Sequence, residues 1–535
     1  MELVARIEAA TVPGPGPARF ALVLRPAQDP VAVRARVADA LAAAGAVVEP
    51  LSSLEPRVLV VELAARDLAD PAAAFAAAYA LQQEFALAAA EPDLPTGFSP
   101  VPAPPPPGEL REEGVEAFPP GCWAPEEAGL EPRWALAAMR VPEAWDHSAA
   151  RQRPTQGAGV VVAQPDTGIT RHAELAGVLS VGGYDVLDDD PDPTDPLSPP
   201  APLGTPGHGT GTASVVVSPR SLTVWGSAPA ARHMPIRAIE SVVRITQVTV
   251  ARAIDRAVAD GAQVITMSLG GLPSFALFGA LRRAVAADVI VLAAAGNCVR
   301  TVVWPARYDD CIAVAGTDVR DAPWRGTCRG AAVDVAAPAE NVLHAQAGPG
   351  PGDPLDRVGQ GQGTSYAVAL TAGVAALWLA HHGRANLVAA ARSGGETLQQ
   401  MFLRLVRATA RRPATWDAFE MGAGIVDAAA LLGADLDLGR DREAVTPPGD
   451  PRERAARSVR SLVAEVAGVD AARDAELDWY AFGPEIAHAV LSRATTPTDG
   501  LTPEAVRVPA PVSPTLSAAV TSPPLRNLLG LDGLP

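Results

Sequence analysis

Apolar positions near the start of the chain change period several times within residues 1–92. Residues 20–25 form a short apolar run of strand length, Val33, Val37 and Leu41 fall at i, i+4 spacing and predict a helix, and residues 47–51 read as a second strand. The order then repeats: a strand over 57–62, an Ala-rich helix over 72–83 and a closing strand over 85–91. The sum is β-α-β-β-α-β, the split βαβ or ferredoxin-like arrangement. Many unrelated small domains share this order, so alone it assigns no function.

The pattern breaks over residues 93–132, where Pro102, Pro104, Pro105, Pro106 and Pro107 stand nearly together. Such a stretch supports neither helix nor central strand and predicts an extended, protease-accessible linker. From 133 to 433 apolar runs without in/out alternation are separated by amphipathic stretches: strands over 160–163, 233–238, 264–268 and 289–294, and helices over 248–260 and 277–287. This predicts an α/β domain, a doubly wound, mostly parallel sheet covered on both faces, with its site at the carboxyl ends of the strands. Beyond 434 the pattern weakens. Short helices are expected over 452–466 and 486–492, followed by an unstructured tail rich in Pro, Thr and Ser.

Composition narrows the function class. At 535 residues the chain exceeds one core, and 48% hydrophobic against 19% charged residues fits folded domains. A net charge of -17 argues against nucleic acid or an anionic membrane surface as partner. All 43 cationic side chains are Arg, so no lysine is present to act as base or Schiff-base nucleophile. Cys122, Cys298, Cys311 and Cys328 are too dispersed for a disulfide scaffold or a CxxC zinc site. A Cys298–Cys311 pair and free buried thiols both stay open. Residues 1–6 lack the start of a secretory signal, and the longest apolar run, 366–380, is shorter than a membrane span. A protein without a membrane span is expected, in a compartment these features leave undefined.

Three segments carry chemistry. The buried strand before Gln164-Pro165-Asp166-Thr167-Gly168 delivers an aspartate at its carboxyl end. Gly207-His208-Gly209-Thr210 starts a helical run with a histidine whose flanking glycines let the backbone approach a partner closely. Gly361-Gln362-Gly363-Thr364-Ser365 leads into an apolar helix, whose N-terminal dipole end favours negative charge developing near Ser365. Asp at a strand end and Ser at a helix N-terminus are each ordinary caps in isolation. The order Asp, His, Ser differs from that of α/β-hydrolases and of chymotrypsin-like enzymes.

With these motifs in that order, residues 134–433 resemble the subtilisin-like serine proteases. The resemblance implies a serine endopeptidase acting on protein or peptide substrates through an acyl-enzyme. Ser365 would be nucleophile, His208 base and then acid, and Asp166 the group that orients the imidazole. Asn297, in Ala293-Ala294-Ala295-Gly296-Asn297, would donate to the oxyanion. Ser268, Leu269 and Gly270 match the segment that pairs with residues before the scissile bond, and Ala294, Ala295 and Gly296 a wall of the first specificity pocket. The small walls suggest tolerance for an apolar side chain. Residues 1–92 look like the family's inhibitory propeptide, so the chain is expected to be a zymogen cut within 93–132, with its own N-terminal domain as intramolecular inhibitor.

The chain departs from the family pattern at Gly211, Thr212, Ala213 and Ser214 after the histidine, and at Ala369 after the serine. An inactive peptide-binding protein and a peptide ligase or cyclase are the alternatives; the intact Asp166, His208, Ser365 and Asn297 argue against the first. No cofactor is required by this chemistry. The acidic run Asp185, Asp188, Asp189, Asp190, Asp192 and Asp195 has the donors of a structural calcium site, but a solvated loop is the plainer reading and no metal is assigned.

Overall fold

The computed structural model describes residues 2–68, 70–95, 122, 127, 129–197, 205–242, 245–299, 301–347, 356–439, 449–494 and 510–532. Most of the Pro-rich linker, and with it the expected cleavage region, lies outside the described residues.

The N-terminal domain comprises α1 (Glu2–Ala9), β1 (Thr11–Pro13), β2 (Ala18–Val23), α2 (Pro30–Leu41), β3 (Val47–Ser52), β4 (Glu55–Leu63), β5 (Arg66–Leu68), α3 (Pro71–Glu84) and β6 (Ala89–Pro92). Its main sheet is antiparallel in the order β3-β4-β2-β6, the expected βαββαβ core, to which α1 and the small β1-β5 pair are additions. The closing strand is shorter than the apolar run, because residues 85–88 turn first, with Ala86 at φ 51°. Both sheet faces are buried. Along β2 and β4, Phe20, Leu22, Leu59 and Val61 enter the domain's own core with Val33, Val37 and Leu41, while Ala21, Val58 and Val60 enter a core shared with the next domain. Period-2 side-chain alternation thus serves two cores at once.

The large domain holds α4 (Trp134–Ala138), α5 (Val141–Ala150), β7 (Val161–Asp166), β8 (Leu179–Ser180), β9 (Tyr184–Asp185), α6 (His208–Val217), β10 (Arg232–Arg237), α7 (Gln247–Ala259), β11 (Val264–Met267), α8 (Phe275–Ala286), β12 (Ile290–Ala294), β13 (Ile312–Thr317), β14 (Val335–Pro338), β15 (Val342–Gln346), β16 (Arg357–Gly361), α9 (Thr364–His382), α10 (Arg384–Ser393), α11 (Leu398–Thr409), α12 (Ala418–Met421) and α13 (Ala428–Gly433). Its eight-stranded sheet runs β14-β13-β12-β11-β7-β10-β8, with β9 beside β10 and every pair parallel. Strand residues alternate between a core with α7 and α8 (Ala163, Ile265, Val291, Ala293) and a core with α6 and α9 (Val162, Val264, Ile290, Leu292). This is why the strands read as continuous apolar runs. Helix α9 is long and apolar enough to cross a membrane, yet it is wholly buried behind the sheet.

The C-terminal region forms α14 (Pro451–Ala467), α15 (Gly483–Ala494), α16 (Pro514–Ala519) and α17 (Pro523–Leu529). For residues 510–532 the expectation of an unstructured tail fails; residues 495–509 and 533–535 lie outside the described residues. Leu516, Val520, Leu525 and Leu529 are buried, and Ser513 caps α16 by accepting from the Leu516 N–H. Short helices that start at proline give too few turns for a readable period, so their apolar residues looked incidental.

The cysteines also resolve differently from a Cys298–Cys311 pair. Cys298 is bonded to Cys122, with Cα atoms 5.9 Å apart, while Cys311 and Cys328 are buried outside that bond. Because β12 and β13 are parallel, Cys298 lies beyond the carboxyl end of one strand and Cys311 just before the amino end of the next. Close in sequence, the two therefore stand at opposite ends of neighbouring strands.

Candidate active site

Strand β7 carries Asp166 to the carboxyl end of the sheet, where it is 1% exposed. A buried carboxylate needs hydrogen bonds to remain ionised. Asp166 accepts from the Thr167 N–H at 2.7 Å and lies 2.8 Å from His208 Nδ1, and the Thr212 hydroxyl stands 3.3 Å from its second oxygen. Against an ionised Asp166, Nδ1 is the protonated nitrogen of a neutral His208, which leaves Nε2 as an acceptor. His208 Nε2 is 3.2 Å from Ser365 Oγ.

The histidine is held by the backbone on either side of it. Asp195 accepts from the Gly207 N–H and the Thr167 hydroxyl, both at 2.8 Å, and Thr167 Oγ1 accepts from the Gly209 N–H at 3.0 Å. This cross-linking fixes the first turn of α6 onto the end of β7. The close approach requires Gly209, since a Cβ there would lie 2.0 Å from the Gly168 carbonyl oxygen. Asp195 is therefore a structural brace. Of the other acidic-loop residues, Asp185 and Asp188 pair with Arg237, and Asp189 accepts from the Tyr184 hydroxyl at 2.6 Å. Among the described residues no three His, Cys, Asp or Glu side chains converge as a metal site would require.

Ser365 is the second residue of α9 rather than its cap. The cap is Gly363, at φ 148° and ψ 150°, a conformation that a side chain would strain. Asn297 Oδ1 accepts from the Thr364 N–H at 3.0 Å and from the Thr364 hydroxyl at 2.7 Å. With the oxygen so occupied, Nδ2 faces the other way, within 3.4 Å of where a Gly363 Cβ would stand, beside Ser365. First-turn helix N–H groups have no intrahelical acceptor, so the Ser365 amide is a second donor at this spot.

The two expected substrate segments follow neighbouring strands. Ser268, Leu269 and Gly270 follow β11, with Ser268 Oγ donating to the Ser365 carbonyl at 3.1 Å; Ala294 ends β12, and Ala295 and Gly296 follow. Both glycines face Val303. Its Cγ2 is 2.4 Å from a Cβ built on Gly270 and 2.9 Å from one built on Gly296, so the isopropyl group fills the gap between the segments.

Gln164 stands two residues before Asp166 on the same strand face, and it escapes motif reading. Its Nε2 donates to Thr212 Oγ1 at 2.6 Å and to the Gly209 carbonyl at 3.0 Å, while Oε1 sits 2.9 Å from His233 Nε2. Burial pushes His233 down to about 4, so it is a neutral donor to Gln164. The departures from the family pattern also fit locally. Gly211 leaves room for the His344 ring, 3.1 Å from where its Cβ would stand, and the Ser214 hydroxyl donates to the Gly211 carbonyl at 2.6 Å and accepts from the Ala345 N–H at 2.9 Å.

The family model described as the subtilase family (Peptidase_S8) matches residues 157–422. Thermitase of Thermoactinomyces vulgaris is 35% identical over 251 residues, which span 46% of this chain and 81% of that protein. Subtilisin BL of Lederbergia lenta is 31% identical over 247 residues, 46% of this chain and 82% of that one. Among solved structures, a protease from Pseudoalteromonas arctica PAMC 21717 aligns at 27% identity over 58% of this chain and 98% of its own, with a TM-score of 0.47. With the two curated relatives matched over four-fifths of their lengths, the chain belongs to the subtilase family and is a serine-type endopeptidase.

Proposed function

We propose that Ser365 is the nucleophile of an Asp166–His208–Ser365 relay that cleaves peptide bonds through an acyl-enzyme. His208 Nε2 takes the hydroxyl proton as Ser365 Oγ bonds to the scissile carbonyl carbon. Asn297 Nδ2 and the Ser365 N–H hold the oxyanion, and His208 then returns the proton to the leaving amine. Water, deprotonated by the same imidazole, releases the acid and restores the serine. The reading rests on one observation, the continuous path from Asp166 Oδ1 to His208 Nδ1 at 2.8 Å and from Nε2 to Ser365 Oγ at 3.2 Å.

The substrate's residue before the scissile bond enters between residues 268–270 and 294–296. Val303 makes that pocket shallow, which narrows the sequence-based expectation of a general apolar pocket to small side chains such as alanine. The N-terminal domain acts as an intramolecular inhibitor whose linker is cut by the enzyme itself. In support, Glu91 accepts from the Ser274 hydroxyl at 2.7 Å and the Phe275 N–H at 2.9 Å at the start of α8, and Asp93 accepts from the Gln247 and Val248 N–H groups at 2.6 and 3.1 Å at the start of α7. The domain thus caps two helices whose first amides would otherwise be unsatisfied, and it directs its C-terminal strand along the large domain. Intact-mass measurement of purified wild type and Ser365→Ala under reducing, denaturing conditions tests this: the wild type alone should lose residues 1 to a point within 93–132, and equal processing of both would refute it.

A further inference from the structure

The C-terminal helices lie outside the matched family region, and they reach both other domains. Helix α14 is anchored on the large domain: Arg307 donates to Ser461 Oγ at 2.9 Å and pairs with Glu465 at 2.6 Å, Trp304 Nε1 donates to Ser458 Oγ at 3.2 Å, and Arg454 pairs with Asp310. Helix α15 packs on α14 and reaches the N-terminal domain through Glu485 and His488. There Phe75 and Tyr79, one turn apart on α3, point away from their own domain's core. The Tyr79 ring meets Phe482 edge-on at 5.2 Å and the Phe75 ring stands 6.4 Å from His488. Tyr79 also donates its hydroxyl to Glu485 at 2.9 Å, and Ser513 donates to the same buried carboxylate as it leads α16 against α3.

A helix that served only its own domain would present polar residues outward. Two aromatics here, with a tyrosine hydroxyl matched to a buried carboxylate, form one half of a specific interface. Among the described residues the facing half comes from Phe482, α15 and the start of α16. The N-terminal sheet also rests on α7 and α8, so the domain contacts both the large domain and the C-terminal helices.

We propose that α14 to α16 form a clasp whose ligand is α3 of the chain's own N-terminal domain, and that this clasp keeps the domain bound after the linker is cut. The proposal rests on the reading of that domain as an inhibitor only for its regulatory consequence: cutting the linker does not activate the enzyme until the clasp opens. Cleavage and release become separate steps, with the Phe75–Tyr79 face as the contact that must be broken.

The test uses the full chain in the Ser365→Ala background, with a recognition site for a sequence-specific endoprotease inserted after Gly108. Once nicked, the protein is followed by native mass spectrometry and by the dissociation rate of the N-terminal fragment. Retention of the fragment, with at least tenfold faster release for Phe482→Ala and for Tyr79→Phe, supports the clasp. Tyr79→Phe keeps the ring and removes only the hydroxyl, so it reports on the interface even where Phe482→Ala perturbs folding. Equal release from all three proteins overturns it. Nicking the same insertion in the Ser365 enzyme separates the two ideas: a retained fragment with full peptidase activity would leave the clasp standing and remove the inhibitor reading.

Discussion

Asn297 commits its side-chain oxygen to Thr364, accepting from both the N–H and the hydroxyl, at 3.0 and 2.7 Å. The residue just before the nucleophile therefore aims the amide that would bind the oxyanion. Because Nδ2 acts only as charge develops, Asn297→Ala is expected to lower kcat by about 100- to 1000-fold with little change in KM. Thr364→Val, which keeps Asn297 but removes one of its two anchors, should lower kcat by about tenfold. A loss confined to KM in either variant, measured by steady-state peptide hydrolysis, would contradict this assignment.

Val303 predicts specificity. Its isopropyl group stands between Gly270 and Gly296, so Val303→Gly should deepen the pocket. A few methylenes of apolar fit are worth about 10- to 200-fold in discrimination. The ratio of kcat/KM for a phenylalanine over an alanine before the scissile bond should rise by at least about tenfold. An unchanged ratio would mean that the side chain binds elsewhere.

The grip on the N-terminal domain should depend on pH. Burial pushes Glu91 up to about 7 and Glu485 up to about 6, and it raises Asp93 as well, while hydrogen bonds from Ser274, Phe275 and Ala276 oppose the shift at Glu91. Asp93, Tyr79, Tyr308 and Tyr480 face Glu91 and add no cation. A carboxyl whose pKa is higher in the docked state binds its proton more tightly there. Docking is then favoured below about 4.5 and loses this contribution as pH rises through about 7, on the order of 3 kcal/mol for Glu91 alone. His488, pushed down to about 4 by burial, works the opposite way below its ordinary range, but one imidazole stands against three carboxyls. Release of the nicked N-terminal fragment should quicken from pH 5 to pH 8, and Glu91→Gln should flatten that dependence. Faster release at pH 5 would reverse the sign.

The Cys122–Cys298 bond adjoins Asn297, the proposed oxyanion donor. Cys298 holds the left-handed φ of 65° directly after Asn297, and its N–H donates to the Gly326 carbonyl at 2.7 Å. Cys122→Ser frees the linker from this loop. It should cost about 2–5 kcal/mol in stability, since the bond closes a loop of 176 residues, and about tenfold in kcat through looser placement of Asn297. Thermal unfolding and kinetics with and without reductant measure both.

The parts of this site legible in the sequence are those carried by local geometry. Asp166 ends an apolar strand, His208 sits between glycines that allow close packing, and Ser365 stands two residues after Gly363, whose φ few other residues adopt. Each leaves a short signature, and their order along the chain separates this family from other serine hydrolases. The supporting residues leave none. Gln164 reads as a stray polar residue in a buried strand until β10 brings His233 beside it, and Val303 comes between Gly270 and Gly296 through tertiary contacts such as its N–H on the Ala295 carbonyl. The Cys122 pairing and the α15–α3 interface join residues 176 and about 400 positions apart, distances at which periodicity carries no information.

The most direct test of the central claim is active-site labelling. The wild-type enzyme, stripped of its N-terminal domain at pH 8, is treated with a fluorophosphonate and mapped by peptide mass spectrometry. One adduct per chain, on Ser365, is expected, with labelling abolished in Ser365→Ala and slowed at least about 1000-fold in His208→Ala. A folded, stripped enzyme that takes no label, or that takes it at a residue other than Ser365, would contradict the Asp166–His208–Ser365 relay.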